Sequence, residues 1–315
     1  MSSRSFPVPG SPQLLAAGER VMLTDRKHRR YVLVLEDGAQ WHSHGGAVDH
    51  DDIIGHPEGI VVRTTKNMEV SVFRPTRTDF MMKMGRGAQV IYPKDQAMVL
   101  SLADIRPGMD VVEAGAGSGA LTMALLDAVG PTGSVTSFER RADHLEVAER
   151  NVVDWFGGRP DNWDLRHGDA VVGIGSMRPH RIVLDMLEPW LVVPEAVAAL
   201  SPGGILTAYM PTVTQVMRFD QACIASGVFV QRTTTETLVR GWDVDNLAVR
   251  PHHRMVAHTA FITTTRRAAD VDDGGPGPER AVTGPTVAFV DTGPDPEADP
   301  AADDGLVGPA PGQLP

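Results

Sequence analysis

A glycine-rich segment between a predicted strand and a predicted helix constrains the fold more than any other part of this 315-residue chain. The predicted strand Asp110–Ala114 is followed by Gly115, Gly117 and Gly119, and an apolar helical pattern then covers Leu121–Val129. Glycine lets the backbone turn tightly and approach a ligand that a Cβ atom would repel, and the helix start supplies free backbone N–H groups. A tight turn without a ligand is the alternative. The segment favours an open α/β sheet with a nucleotide-like cofactor.

Acidic residues follow the next three predicted strands. Glu139 ends the second strand, 20 residues beyond Gly119, where a carboxylate can accept from both hydroxyls of an adenosine ribose. Asp169 follows the third strand, where it can accept from the adenine amino group, and Asp185 ends the fourth. A solvated loop acid is the ordinary explanation for any one of them. Three acids at the carboxyl edge of one sheet indicate a cofactor site, because ligands bind there.

The glycine spacing helps to choose between cofactors. A ribose-binding carboxylate suits NAD and S-adenosylmethionine equally. The spacing G-x-G-x-G leaves the pyrophosphate pattern G-x-G-x-x-G incomplete, and Asp169 adds an adenine contact. We therefore predict S-adenosylmethionine as the cofactor.

Around this segment the chain divides into three predicted parts. Residues 1–85 form a small β-rich domain, a barrel or sandwich, with short β-prone runs at Glu19–Leu23, Arg30–Leu35, Ala39–His42, Gly59–Thr64 and Glu69–Phe73. Residues 86–267 alternate strands and helices, which predicts a parallel sheet with helices on both faces. The last two strands, Phe229–Leu238 and His258–Thr265, lack an intervening helix pattern and suggest an antiparallel edge pair.

Charge separates the third part, residues 268–315, from the rest. The whole chain carries −11, but Asp270–Pro315 holds ten acids against Arg280 alone, so residues 1–269 carry only −2. With nine Pro and eight Gly, this segment cannot bury a core, and we predict a disordered acidic tail. The nearly neutral body excludes no polyanionic partner.

Composition limits the remaining classes. The single cysteine, Cys223, excludes a disulfide framework, and the absence of a long apolar run or signal core predicts a cytoplasmic protein without membrane segments. His252, His253 and His258 have no carboxylate or thiol at ligand spacing, so we predict no metal site.

Four ordered motifs resemble one family, the class I methyltransferases, and within it the tRNA adenine-58 N1-methyltransferases. They cover Ile91–Asp95, Glu113–Thr122, Leu184–Trp190 and the stretch from Arg250 to Phe261, and the likeness spans about residues 10–266. The resemblance implies a Rossmann-like methyltransferase sheet behind a small β domain, tRNA as substrate, and a homotetramer.

The resemblance also implies roles for individual residues. The glycine loop, with Gly115 and Gly117, would hold the cofactor, and its methionine end would contact Ser118, Gly119, Ala120 and Leu121. Glu139 would bind the ribose, His144 would make a second adenosine contact, and Asp169 would meet the adenine. Asp185 would lie between the cofactor and the target base.

The chemistry of N1 methylation suggests how Asp185 acts. The N1 lone pair can attack the methyl group directly, and positive charge then spreads over the ring. A carboxylate accepting from N6 would orient the base and stabilise that charge. A strand-end acid capping the turn at Glu188 is the alternative.

Substrate contacts follow from the same chemistry. The target base must leave its stack, and Tyr92 and Tyr209 are candidates to hold it, with a core tyrosine as the alternative. The candidate phosphate contacts, or ordinary solvated turns, are the basic run Arg26–Arg30, with Arg74, Arg77, Lys83, Arg86 and Lys94 further on, and a second cluster at Arg240, Arg250, His252, His253 and Arg254.

Two other functions remain as alternatives. One is another class I methyltransferase, acting on protein carboxylates or small molecules. The other is a non-catalytic RNA-binding subunit of a methyltransferase pair. The sequence leaves open which tRNAs are used, whether a neighbouring adenine is also methylated, and what the tail does.

Overall fold

The computed structural model describes residues 13–85, 87 and 89–270. The amino-terminal part is β-rich, as predicted. A four-stranded antiparallel sheet has the order β2-β1-β6-β5, and a hairpin, β3–β4, lies beside it. Their bounds are β1 (Arg20–Asp25), β2 (Arg30–Val34), β3 (Gln40–Ser43), β4 (Gly46–Asp49), β5 (Val61–Arg63) and β6 (Glu69–Phe73). Alternate residues of β1 and β6, including Leu23 and Val72, point into a small core with Leu35 and Ile53.

A seven-stranded mixed sheet forms the centre of the larger part, in the order β12-β15-β11-β10-β7-β8-β9. Five neighbouring strands, β11 to β9 in that order, pair in parallel, and β15 pairs antiparallel with both β11 and β12. The strands are β7 (Asp110–Ala114), β8 (Ser134–Glu139), β9 (Trp163–His167), β10 (Arg181–Leu184), β11 (Ile205–Met210), β12 (Phe229–Glu236) and β15 (Phe261–Arg267). The predicted parallel sheet with an antiparallel edge pair is confirmed.

Helices cover both faces of this sheet. They are α1 (Arg77–Lys83), α2 (Pro93–Leu102), α3 (Ala120–Val129), α4 (Ala142–Phe156), α5 (Ala170–Gly173), α6 (Val193–Ala199) and α7 (Val213–Ser226). One apolar core contains Leu125 of α3 and Val152 of α4, and the other contains Ala196 of α6 and Phe219 of α7. The predicted arrangement of helices on both faces of the sheet is therefore confirmed.

The two parts contact each other directly. The guanidinium of Arg20, on β1, lies 2.7 Å from the Asp154 carboxylate of α4 and 5.0 Å from the ring centroid of Phe80. Phe80 in turn packs on Trp155 of α4. Helix α1 thus packs on the larger part although it precedes the predicted division at residue 85. The tail beyond residue 270 lies outside the described residues.

One hairpin was not predicted. Among the strands that the structure describes, β13 (Trp242–Asp245) and β14 (Ala248–Pro251) pair only with each other, and most of their apolar side chains are exposed. No helix among the described residues has the length and apolar character needed to cross a membrane.

Candidate active site

The glycine loop adopts the conformation that its sequence predicts. Gly115, Gly117 and Gly119 all have positive φ, between 54° and 92°. A Cβ atom on Gly115 would lie 1.9 Å from the carbonyl oxygen of Asp185, and one on Gly119 would lie 2.9 Å from Val152 of α4. Gly115 therefore lets the ends of β7 and β10 approach each other, and Gly119 lets the start of α3 approach the middle of α4.

Glu139 fixes the loop from the end of β8. One carboxylate oxygen accepts a hydrogen bond from the backbone N–H of Gly117 at 2.9 Å, and the other accepts from the N–H of Arg141 at 2.9 Å. A carboxylate has about four acceptor positions, so the group still has lone pairs for a ligand. The Glu139 side chain is buried, at 7% exposed, against the glycine loop.

The crevice brings most of the predicted cofactor residues together. Its walls are Gly115, Gly117, Ser118, Ala120, Leu121 and Asp185, with Gln89, Val90 and Ile91 from the segment before α2. Asn151 connects the glycine loop to the segment that precedes α2, because its amide donates to the carbonyl oxygens of Ser118 and Gly85. A larger cavity of about 250 Å³ lies at the opposite edge of the sheet, near Asp110 and Arg178 and away from these carboxylates.

Asp185 has the environment of a reactive or cation-binding carboxylate. Burial, and to a smaller extent the negative charge of Glu139, raises its pKa to about 7. Among the described residues no side-chain or backbone group donates a hydrogen bond to its carboxylate, although its backbone N–H donates to Ala114 at 2.8 Å. Such a carboxylate is available for a substrate donor or a positive charge.

The other predicted cofactor residues lie around this crevice and do not line it. Gly119 packs against Ala148 and Val152. Asp169 caps α5 by accepting from the N–H of Val171 at 3.0 Å, and His144 lies partly buried in the first turn of α4. A Cβ atom on Gly87 would lie 3.5 Å from the His144 ring, so that imidazole borders the segment that covers the crevice.

The two candidate tyrosines differ in exposure. Tyr92 is partly buried and immediately precedes α2, beside Ile91 in the crevice wall. Tyr209 is only 8% exposed, and its hydroxyl points at Asp95, 3.4 Å from Oδ2. Burial, with the nearby charge of Asp95, raises the pKa of Tyr209.

The basic run near the amino terminus is largely neutralised within the chain. Arg29 pairs with Asp25 at 2.7 Å, Arg30 pairs with Asp79 at 2.6 Å, and Arg26 pairs with Glu69. In the described part of the chain, Arg240, Arg250 and Arg254 are exposed and form no ion pair. These three arginines are therefore candidate phosphate contacts that no carboxylate of the described chain neutralises.

The sequence missed Glu113 as a site residue, and its interpretation of Lys94 as a phosphate contact was wrong, because the Lys94 side chain is only 7% exposed. Glu113, completely buried in β7, accepts from the hydroxyls of Thr122 and Ser137 at 2.6 Å, and burial raises its pKa to about 7. Lys94 and Asp95 form a buried ion pair at 2.7 Å in α2. Glu113 stands one residue before the strand end, inside the quoted motif. Thr237 and Thr259, which also accept from Lys94, are too distant in sequence to be recognised as its partners.

Comparisons with family models and with characterised proteins indicate the same family. Residues 14–62 match the family model "TrmI-like N-terminal", and residues 70–267 match "tRNA methyltransferase complex GCD14 subunit". The chain is 38% identical over 255 residues to the tRNA (adenine(58)-N(1))-methyltransferase TrmI of Thermus thermophilus, covering 78% of this chain and 96% of the relative. It is 32% identical over 269 residues to the tRNA (adenine(57)-N(1)/adenine(58)-N(1))-methyltransferase TrmI of Methanocaldococcus jannaschii, covering 78% and 94%.

Solved structures agree on the fold. A SAM-dependent O-methyltransferase from Thermotoga maritima superposes with a TM-score of 0.77 at 27% identity, covering 82% of this chain and 96% of that one. The tRNA (m1A58) methyltransferase TrmI from Aquifex aeolicus gives a TM-score of 0.71 at 24% identity, covering 82% and 100%. The family model over residues 70–267 and the 38% identity to the Thermus relative show that the chain belongs to the family "tRNA methyltransferase complex GCD14 subunit", in agreement with its glycine loop and carboxylates.

Proposed function

We propose that this protein transfers a methyl group from S-adenosylmethionine to N1 of adenine 58 in tRNA. The observation that carries the proposal is Asp185, a partly buried carboxylate without a donor among the described residues, in the same crevice as the glycine loop. Similarity to relatives with this named activity, over more than three quarters of the chain, supports the substrate.

The residues present fit S-adenosylmethionine. Its cation would compensate the unpaired charge of Asp185, and the crevice is walled by backbone of the glycine loop, which can approach a ligand closely. In this proposal Ser118–Leu121 hold the methionine end, and Glu139 binds the ribose. Asp169 and His144 contact the adenosine from the ends of β9 and α4.

Asp185 is the proposed catalytic residue. When bound, S-adenosylmethionine supplies a methyl group on a positively charged sulfur, which the N1 lone pair of adenine can accept directly. The Asp185 carboxylate accepts a hydrogen bond from the exocyclic N6 and thereby orients the base. As the ring becomes positive, this fixed negative charge stabilises the transition state more than the ground state. No covalent bond to the protein is required.

The flipped base is proposed to contact Tyr92 and the neighbourhood of Tyr209. Tyr92 stands beside the crevice wall, whereas Tyr209 is buried with its hydroxyl held near Asp95. We therefore assign Tyr92 the stacking role and Tyr209 a place in the wall of the base pocket. Arg240, Arg250 and Arg254 are the proposed phosphate contacts.

We also propose that the protein works as a homotetramer in the cytoplasm, where its tRNA substrate is found. Support comes from β13–β14, whose exposed side chains include Trp242, Val244 and the fully exposed Leu247. Apolar patches of this kind mark protein interfaces. Light scattering of Leu247→Asp, with Ile224→Asp on α7 as the control, would test this, because only the hairpin variant should reduce the mass.

One assay tests the activity against both alternatives. The purified protein is incubated with unmodified tRNA transcript and S-adenosylmethionine, and the digested nucleosides are analysed by mass spectrometry. We expect 1-methyladenosine, absent when adenine 58 is replaced by guanine. Methylation of protein or small molecules alone would favour another class I enzyme. Binding of S-adenosylmethionine without methylation of tRNA, protein or small molecules would favour a non-catalytic subunit.

A further inference from the structure

A buried ion pair outside the cofactor crevice is enclosed by a ring of hydrogen bonds. The ammonium of Lys94 contacts Oδ1 of Asp95 at 2.7 Å and donates to the hydroxyl of Thr259 at 2.6 Å and to the carbonyl oxygen of Thr237 at 2.7 Å. Thr259 donates in turn to Oδ2 of Asp95 at 2.6 Å. The hydroxyl of Tyr209 also donates to this Oδ2, at the longer distance of 3.4 Å.

The arrangement uses every donor of the lysine. An ammonium has three N–H donors, and all three are accounted for by Asp95, Thr259 and Thr237. The side chains of Lys94 and Asp95 are only 7% and 0% exposed. A buried ion pair is weak evidence for stability, because apolar residues of similar volume often stabilise as well or better. The cluster therefore invites a role other than holding the fold together.

The location of the cluster suggests that role. Lys94 and Asp95 lie in the first turn of α2, directly after Tyr92. Leu184 pairs with Ala208 across β10 and β11, so Asp185 and Tyr209 come next in the same register. The cluster thus contacts Tyr209, which lies beside the proposed catalytic residue Asp185 on the β11 side. The glycine loop follows β7, which pairs with the other side of β10.

Two further segments are tied to the same point. Thr237 immediately follows β12, and Thr259 lies just before β15. Beside them, His258 bonds through its two ring nitrogens to Glu236, at 2.6 Å, and to the carbonyl oxygen of Pro211, at 2.9 Å. The exposed hairpin β13–β14 lies between Thr237 and Thr259 in the chain, so both ends of that excursion are anchored at Lys94.

We propose that Lys94 and Asp95 are positioning residues that fix Tyr209 and the segments at Thr237 and Thr259 as the wall of the target-base pocket. The inference rests on the proposed function. It assigns the pair to the tRNA side of the reaction, because its contacts go to β11, β12 and β15 and none goes to the glycine loop or Glu139 within the described residues. Disturbing the pair should change the handling of tRNA and leave cofactor binding intact.

The first test uses Asp95→Asn, which preserves volume. An amide has one acceptor oxygen where the carboxylate has two, so either Lys94 or the pair Tyr209 and Thr259 loses its acceptor and faces an NH2 group instead. We expect kcat/KM for tRNA to fall at least tenfold, while the calorimetric Kd for S-adenosylmethionine stays within twofold of wild type. The matched control is Asp104→Asn, which breaks a pair with Arg181 at the far edge of the sheet and should leave both values unchanged.

The second test asks whether Asp95 acts through the tyrosine. If it does, Asp95→Asn combined with Tyr209→Phe should lose no more than the worse single variant, whereas independent roles would give multiplied losses. Thr259→Ser keeps the hydroxyl and should retain activity that Thr259→Val loses, with thermal unfolding measured for every variant.

Three outcomes would overturn the inference: near-normal tRNA turnover in Asp95→Asn, an equal loss of cofactor affinity, or independent losses in the double variant. A wild type that forms no 1-methyladenosine in tRNA would instead refute the proposed function, and the positioning role would fall with it.

Discussion

At the scale of single residues, Asp185 in the crevice and the buried carboxylates Glu139 and Glu113 near it differ in what surrounds them. Glu139 accepts from two backbone N–H groups, Glu113 accepts two hydroxyl hydrogen bonds on one oxygen, and Asp185 accepts none from the described residues. A carboxylate already held by donors is prepared to bind a ligand in one orientation. A carboxylate without donors is prepared to respond to charge. The difference divides cofactor binding from catalysis between Glu139 and Asp185.

Replacement of Asp185 by alanine should therefore affect turnover more than binding. The proposed N6 contact strengthens as the ring becomes positive, so its loss should lower kcat by two orders of magnitude or more, in line with the removal of one electrostatic stabiliser (about 10²–10³-fold). Calorimetry should give a Kd for S-adenosylmethionine within several-fold of wild type. Near-normal turnover would remove Asp185 from the mechanism.

The pH profile provides an independent check on Asp185. Burial raises the pKa of this carboxyl to about 7, and only the ionised form can accept from N6 without a competing proton. With both substrates well below KM, the rate should fall about tenfold per pH unit below 7 and level off above it. A bound sulfonium stabilises the carboxylate, so the profile of kcat should inflect at lower pH. A rate independent of pH between 5.5 and 8 would contradict this assignment.

Glu139→Ala should give the opposite pattern to Asp185→Ala. The loop loses the acceptor that fixes Gly117, and the ribose loses its proposed partner. A hydrogen bond to a charged group contributes about 1.5–3 kcal/mol, which corresponds to a Kd for S-adenosylmethionine raised roughly 10- to 150-fold. Turnover at saturating cofactor should change much less. An unchanged Kd measured by calorimetry would show that Glu139 does not contact the ribose.

At the scale of elements, the sequence predicts those whose signal is local. Strands β7, β8 and β10 are short runs of buried residues ended by glycine or acid, and α3 and α4 have apolar faces, so their bounds agree within a residue or two. Helix α1 was not predicted, although Thr76 and Asp79 form a capping box. The hairpin β13–β14 was missed because most of its apolar residues face outward and no core imposes alternation on it.

The same distinction applies to the site. Glu139, Asp169 and Asp185 could be proposed because strand ends are visible in the sequence. Two partners of Lys94, Thr237 and Thr259, lie more than 140 residues away, so only the folded chain brings them to the ion pair. The basic run near Arg29 looked free because one of its neutralising partners, Asp79, lies 49 residues beyond Arg30.

Strand β7 contains a carboxyl that should make stability depend on pH. Burial raises the pKa of Glu113 from 4.5 to about 7, so the folded protein holds this proton more tightly than the unfolded chain. The resulting stabilisation is present below pH 4.5 and is lost as pH rises through 7, by on the order of 3 kcal/mol. Glu113→Gln resembles the protonated form and should therefore raise Tm at pH 8 but not at pH 5. An equal shift at both pH values would contradict the linkage.

At the scale of the whole molecule, charge is distributed unevenly. Residues 271–315 contain nine acids and one arginine, a net charge of −8, whereas the rest of the chain is close to neutral. The proposed substrate is a polyanion, so this segment should repel tRNA or compete with it for the free arginines near β14. Arg267 pairs with Asp270 at 2.9 Å, which makes residue 270 the appropriate end for a shortened chain.

A chain ending at Asp270 should therefore fold normally and bind tRNA at least as tightly as the full chain. Repulsion between exposed charges is screened over about 8 Å at physiological ionic strength. The advantage in affinity should consequently be largest at low salt and shrink as salt rises. A matched full-length variant, with all nine acids replaced by Asn or Gln, separates charge from length, because it should reproduce the gain of the shortened chain. Equal Kd values for all three proteins across a salt series would mean that the segment has no electrostatic role. Weaker binding after shortening would mean that it contributes to tRNA binding.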